Sequence, residues 1–184
     1  MSAPLLIGVD PGRTTGLALL EGDRLVATHT AKFTCLPAPA DKVQWFIGKL
    51  VEAGMRAGAI GGRPAVHVAI EQMFAGANHK TSHTDAELGG AILQEIGRQY
   101  VRQSVHRAMA IVWRPVVLGR GTGQLSGKDA KPLAIAHCRL RYGVTLPEHE
   151  AEAVCIALWG LRQVAPHGTS SALAEATGTG GDRE

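Results

Sequence analysis

The sequence predicts an α/β fold, a mixed sheet with helices on its faces. Three observations lead there. The first 33 residues hold three short apolar runs of strand-like composition. From residue 41 onward, segments of helical spacing alternate with strand-like ones. The length, 184 residues of which 45% are hydrophobic, suits one domain with a substantial core. Leading strands followed by strand–helix alternation make a mixed sheet.

The elements follow in order. "PLLIGVD" (4–10) reads as a buried strand, and "GLALLEGDRLVATHTAKF" (16–33) as two more, joined by a turn at "EGD". "CLPAPA" is a loop. Asp41 caps a helix over 42–58, where Val43, Phe46, Ile47, Leu50 and Val51 recur at helical spacing. "AVHVAIEQ" (65–72) alternates and is a strand, and "MFAGANHKTSHT" is a loop. The helix predicted over 85–103 carries Leu88, Ile92, Ile96 and Tyr100 as one stripe, with Gly89 and Gly90 allowing close packing. "AMAIVWRP" (108–115) reads as a strand that Pro115 ends. A Gly-rich loop follows. A helix over 127–143, entered near Lys131-Pro132, stops at Gly143. A last helix covers 146–164. Residues 1–164 form the domain, and 165–184, small and polar without periodicity, are expected to be a disordered tail.

Composition excludes several classes. No apolar run of about 18 residues is present, so no membrane span is expected. The N-terminus lacks a basic region and reaches an acid early, unlike a signal peptide. Cys35, Cys138 and Cys155 have no zinc-ligand spacing and read as buried, reduced thiols, so a cytoplasmic setting is expected. The net charge of +3 is mild, but the cations cluster. Arg98, Arg102, Arg107, Arg114, Arg120, Lys128, Lys131, Arg139 and Arg141 lie close in sequence and are followed directly by "EHEAE". A basic middle beside an acidic knot suits a polyanion bound across a cation site.

Asp10 and Glu71 end the two most apolar strands. A carboxylate on an apolar sheet is costly to bury unless paired or bound to a cation, and strand ends are where α/β sheets gather their sites. On the last helix, His149 and Glu152 are three apart and share a face. Glu148 shares a face with Glu152, whereas Glu150 is expected to point to solvent. Together Asp10, Glu71, His149 and Glu152 make an oxygen-rich site with one imidazole, suited to Mg²⁺ or Mn²⁺. Two such ions can serve phosphodiester hydrolysis.

Three stretches resemble the RuvC family of Holliday-junction resolvases, within the RNase H-like superfamily. "IGVDPGRTTG" is similar to its first-strand motif, "VAIEQMF" to its second, and "HEAEAVCIALWG" to its last helix. The resemblance spans about residues 5–160. It implies a five-stranded mixed sheet with helices on both sides and a homodimer whose interface draws on the helix over 85–103. It implies a nuclease that nicks four-way junctions symmetrically, leaving 5′-phosphate and 3′-hydroxyl ends. By position, Asp10, Glu71, His149 and Glu152 correspond to its catalytic metal ligands. Phe74 corresponds to an aromatic residue near the junction crossover, and Lys128 to a basic residue after the Gly-rich loop. Asn78, His79 and Lys80 are the further candidate crossover contacts, and Arg114 and Arg120 the neighbouring cations where the family has a lysine. The sequence departs from the family's usual pattern by a Glu in place of Asp at 152 and by one residue fewer between Asp10 and Gly16.

Three other readings stay open at this point. One is a nuclease of the same chemistry acting on forks, flaps or RNA-containing hybrids. Another is a nucleic-acid-binding protein without catalysis. The third takes "DPGRTTG" as a phosphate loop of an actin-like ATPase, but such a fold needs a second half that the sequence lacks.

Overall fold

Strand pairing builds the molecule outward from two apolar strands. The computed structural model describes residues 3–32, 48, 65–72 and 79–164. Strand β1 (Leu5–Asp10) pairs antiparallel with β2 (Thr14–Glu21), which pairs antiparallel with β3 (Arg24–Lys32). On its other side β1 pairs in parallel with β4 (Ala65–Glu71), and β4 in parallel with β5 (Val101–Ala108). The sheet is five-stranded and mixed, in the order β3-β2-β1-β4-β5. Parallel neighbours need a crossover, and helix α1 (His79–Gln99) supplies the one between β4 and β5.

Each face of the sheet buries one set of alternate side chains. Ile7, Val9, Leu17, Leu19, Val66, Val68 and Ile70 pack on Leu88, Ile92 and Ile96 of α1 and on Tyr100 just past its end, the stripe read from the sequence. The opposite face, with Leu6, Ala18, Leu20 and Ala69, receives helix α4 (Glu148–Val164). Every residue from Ala151 to Gly160 in α4 is buried. Helices α2 (Ala110–Leu118) and α3 (Gly127–Tyr142) flank it, burying Trp113, Ala134 and Cys138. Helices thus cover both faces.

Small residues let α4 lie almost on the sheet backbone. A Cβ added at Gly8 would stand 2.1 Å from the Ala153 carbonyl oxygen, and one at Gly160 2.5 Å from the Ala69 Cβ. The Ala153 obstacle is backbone inside a buried helix, which cannot swing aside. Gly8→Ala should therefore lower stability by about 1–3 kcal/mol or more, the scale of overpacking, read from the urea denaturation midpoint. An unchanged midpoint would contradict the close approach.

Several expectations need correction. The strand expected over 108–115 is helix α2, and the sheet's fifth strand lies earlier, at Val101–Ala108. A short apolar run serves either state equally in periodicity, while β5 is polar because among the described residues it pairs only with β4. Pro115 lies inside α2 rather than ending a strand. Helix α1 begins at His79, not residue 85, and ends at Gln99, not 103; "HKTSHT" contains neither Gly nor Pro to break it. Helix α3 is entered at Gly127, four residues before Lys131, because Ser126 caps it by accepting from the Asp129 amide at 3.3 Å. Its end at Gly143, with φ 71°, stands as expected. A Cβ added at Gly90 would meet nothing within 4 Å and one at Gly89 would stand 3.4 Å from Ile70, an ordinary contact, so neither glycine is needed for close packing. Cys138 and Cys155 are free and buried. The helix expected over 42–58 falls outside the described residues apart from residue 48, as do Cys35 and the segment 165–184. No described helix is long and apolar enough to cross a membrane.

Candidate metal centre

The site forms where parallel β1 and β4 end together. Val9 pairs with Ile70, so Asp10 and Glu71 leave the sheet side by side. Both alternate onto the α4 face, as Gly8 and Ala69 do. After Asp10 the chain must turn sharply. Buried Thr15 shapes that turn, its hydroxyl donating to the Gly12 carbonyl at 2.6 Å and accepting from the Gly12 amide at 3.3 Å.

Helix α4 brings its two candidate ligands to this point. His149 Nδ1 is 2.7 Å from Asp10 Oδ2. Ligand atoms of Asp10, His149 and Glu152 all lie within 4.8 Å of one another. Glu71 is not in that triple but lines the same cavity, of about 380 Å³, with Arg114, Lys131 and Gly127. The approach of α4 depends on Gly16, which pairs with Asp10 across the sheet. A Cβ there would sit 1.9 Å from the His149 carbonyl oxygen.

The electrostatics are those of carboxylates crowded together. Burial raises the Asp10 carboxyl above its ordinary value, against the hydrogen bond from His149. Burial, then the charge of Asp10, pushes Glu71 up to about 7. Burial, then Asp10 and Glu71, pushes Glu152 up to about 8. His149 is raised by its hydrogen bond to Asp10. Each carboxylate would ionise more readily beside a cation. Hard oxygen donors with one imidazole fit Mg²⁺ or Mn²⁺, so the donor set fits the expected ion.

Arg114 and Lys131 are the cations within reach. The Arg114 side chain is only 9% exposed. Its Nη1 donates to the Leu125 carbonyl at 2.9 Å, its Nη2 lies 3.7 Å from Glu152 Oε1, and its guanidinium stacks 5.5 Å from the Trp113 ring centroid. Lys131 Nζ donates to Glu148 Oε1 at 2.7 Å, and the same oxygen lies 3.3 Å from His149 Nε2. The sequence placed Lys131 in the basic cluster and at the helix entrance without assigning it to the carboxylate site; its place three residues after Lys128 on one helix was the available signal.

The other candidates distribute differently. Arg120 and Lys128 are exposed, on the loop before α3 and in its first turn, with no part in the carboxylate cluster. His79 and Lys80 are the first residues of α1 rather than of a loop. Phe74 and Asn78 fall outside the described residues. Glu150 does not point to solvent: its carboxylate accepts from the Thr28 hydroxyl at 2.5 Å and the Thr30 hydroxyl at 2.8 Å.

No protein-family model and no curated protein matches the chain. Among solved structures, it is similar to the Thermus thermophilus RuvC structure, with a TM-score of 0.59 and 22% identity over 84% of this chain and 92% of that one. It is also similar to T. thermophilus RuvC in complex with Holliday junction substrate, with a TM-score of 0.57 and 20% identity over 85% of this chain and 91% of that one. At these identities the likeness is one of fold. It agrees with the fold that the three sequence motifs imply.

Proposed function

We propose that this chain is a metal-dependent, structure-selective DNA endonuclease that resolves four-way junctions by paired symmetric nicks. The convergence of Asp10, His149 and Glu152 ligand atoms within 4.8 Å carries this reading. Glu71 in the same cavity and a RuvC-like fold support it. A similar fold in complex with junction substrate supports branched DNA as the ligand. Two copies, each nicking one strand, would give the paired cuts.

In this reading Asp10, Glu71, His149 and Glu152 hold Mg²⁺ or Mn²⁺, two ions per site. When bound, the metal lowers the pKa of a water nucleophile and offsets charge on the phosphodiester. The chain's own residues prepare that chemistry. With both ring nitrogens near carboxylates, His149 is favoured as an imidazolium, its Nδ1 donating to Asp10 and its Nε2 3.3 Å from Glu148 Oε1 as an ion pair. Release of the Nδ1 proton to solvent would leave a lone pair beside Asp10, with Nε2 still 3.3 Å from Glu148. A carboxylate on the far ring nitrogen is the usual support of a metal-ligating histidine, which favours a ligand role over a base. Arg114, fixed by the Leu125 carbonyl, and Lys131, fixed by Glu148, present positive charge to the phosphate oxygens. Exposed Arg107, Arg120 and Lys128 would contact the backbone of the arms. Phe74, Asn78, His79 and Lys80 remain the proposed crossover contacts.

The test compares a four-way junction, a replication fork, a plain duplex and an RNA–DNA hybrid, each with Mg²⁺ or with excess EDTA. The expected result is symmetric nicking of the junction with Mg²⁺, little on duplex and none with EDTA. Preference for the fork or hybrid would move the substrate within the same chemistry. Cleavage in EDTA would overturn the metal reading.

A further inference from the structure

The first turn of α4 rests on one row of the sheet. Asp10 pairs with Gly16, and Gly16 with Thr30, across β1, β2 and β3. Each member of that row meets the helix differently. Asp10 meets the His149 ring at 2.7 Å. Gly16 lies beneath the His149 carbonyl, with room for no Cβ. Thr30, with Thr28 two residues earlier on β3, donates its hydroxyl to Glu150.

These contacts do different work. The glycine permits the approach but holds nothing. The ring contact belongs to the site itself. Glu150 faces away from the cavity, which His149 and Glu152 line without it. Its two carboxylate oxygens take one hydroxyl each, so both displacement and rotation of the helix end are opposed. Pro147 just before the helix has no side-chain oxygen for a cap, and its carbonyl accepts from the Ala151 amide at 2.9 Å. Apart from the His149 contact with Asp10, the side-chain hold on this turn therefore comes from Glu150 and from Glu148 with Lys131.

We propose that Glu150, through Thr28 and Thr30, is a positioning residue that sets the distance of His149 and Glu152 from Asp10. The proposal rests on the metal-centre reading but names a role outside the ligand set. Loss of such outer support typically weakens metal affinity about 10–100-fold.

The experiment measures Mn²⁺ affinity by calorimetry for wild type, Glu150→Ala, Thr28→Val with Thr30→Val, the combination of all three, and Glu150→Gln. Melting temperature is recorded for each. Imidazole ¹⁵N and Nδ1–H resonances of His149, assigned with His149→Gln, are recorded without metal. Expected are a tenfold or greater loss of affinity in Glu150→Ala and in the double valine variant. The combination should be no worse than either, and Glu150→Gln should recover most of the loss. The His149 resonances should move in the impaired variants and return with Gln. Unchanged affinity and resonances, with only a lower melting temperature, would overturn the proposal. Should wild type bind no Mn²⁺, the metal reading fails, and the resonances alone decide the positioning role. Should wild type bind Mn²⁺ but cleave no junction, the substrate reading fails while the affinity series still decides this one.

Discussion

Asp10→Asn is expected to lose cleavage while keeping junction binding and folding. Asp10 is the residue on which every part of the site converges: the His149 ring, the Glu152 carboxylate and the end of β4. An amide keeps the shape and one acceptor oxygen but removes the negative charge that would draw a divalent ion. Metal stabilisation of a phosphodiester transition state is worth several kcal/mol. About 4 kcal/mol corresponds to roughly a 10³-fold slower reaction, so single-turnover cleavage should fall by at least about that factor. Binding, measured by gel shift without metal, should change less than about threefold, because backbone contacts come from exposed cations elsewhere. Stability should hold or rise, since the Asp10 charge is among the causes that push Glu71 and Glu152 up. A variant that cleaves at the wild-type rate would remove Asp10 from the chemistry. One that fails to bind junctions would give it a different role. A site that destabilises its own fold is the ordinary signature of residues placed for chemistry.

The parts of this site that could be read from sequence were those written in one local pattern. Asp10 and Glu71 stood out because each ends an apolar strand, and parallel pairing of β1 with β4 brings them together. His149 and Glu152 stood out because helical spacing of three puts them on one face. What escaped depended on a partner distant in sequence. Glu150 was expected in solvent because the helix alone turns it away from His149 and Glu152. It does turn away, but β3 extends beneath that side and offers two threonines. Gly16 read as the first residue of a strand, and only the packed helix reveals the carbonyl it must admit. Lys131 was legible as one of a cluster of cations, but not as the one that lines the carboxylate cavity. Arg114 was assigned to a strand, yet a buried guanidinium reaches the site from a helix instead. The α2 and β5 exchange has one cause: position in the sheet, not local propensity, decides how polar a strand can be.

Without metal, raising the pH from about 6.5 to 8 should destabilise the protein, and Mn²⁺ should abolish most of that loss. The sign follows from three groups. Glu71, at about 7, and Glu152, at about 8, bind protons more tightly folded than unfolded, where their ordinary value is 4.5. Burial is the first cause for both. His149 is also raised, by its bond to Asp10, from 6.5. A folded state holding extra protons loses stability as pH rises, and all three act together in this window. The opposing groups act mainly at the lower end of this window. His67, His106 and His137 are lowered from 6.5 by burial, so the stability they regain with rising pH is complete only about one unit above 6.5 and offsets part of the fall there. Glu148, lowered by its hydrogen bond from Lys131, has finished near 4.5. About one retained proton over this window corresponds to roughly 2 kcal/mol, or a fall of about 4–8 °C in melting temperature for a chain of this size. Divalent metal replaces those protons, so its stabilisation should grow with pH and the two melting curves should diverge toward pH 8. Asp10→Asn should flatten the metal-free slope, because it removes a charge that raises both glutamates. A metal-free melting temperature constant or rising between pH 6.5 and 8 would mean that the glutamates are already ionised, and that no unbalanced carboxylate cluster awaits a cation.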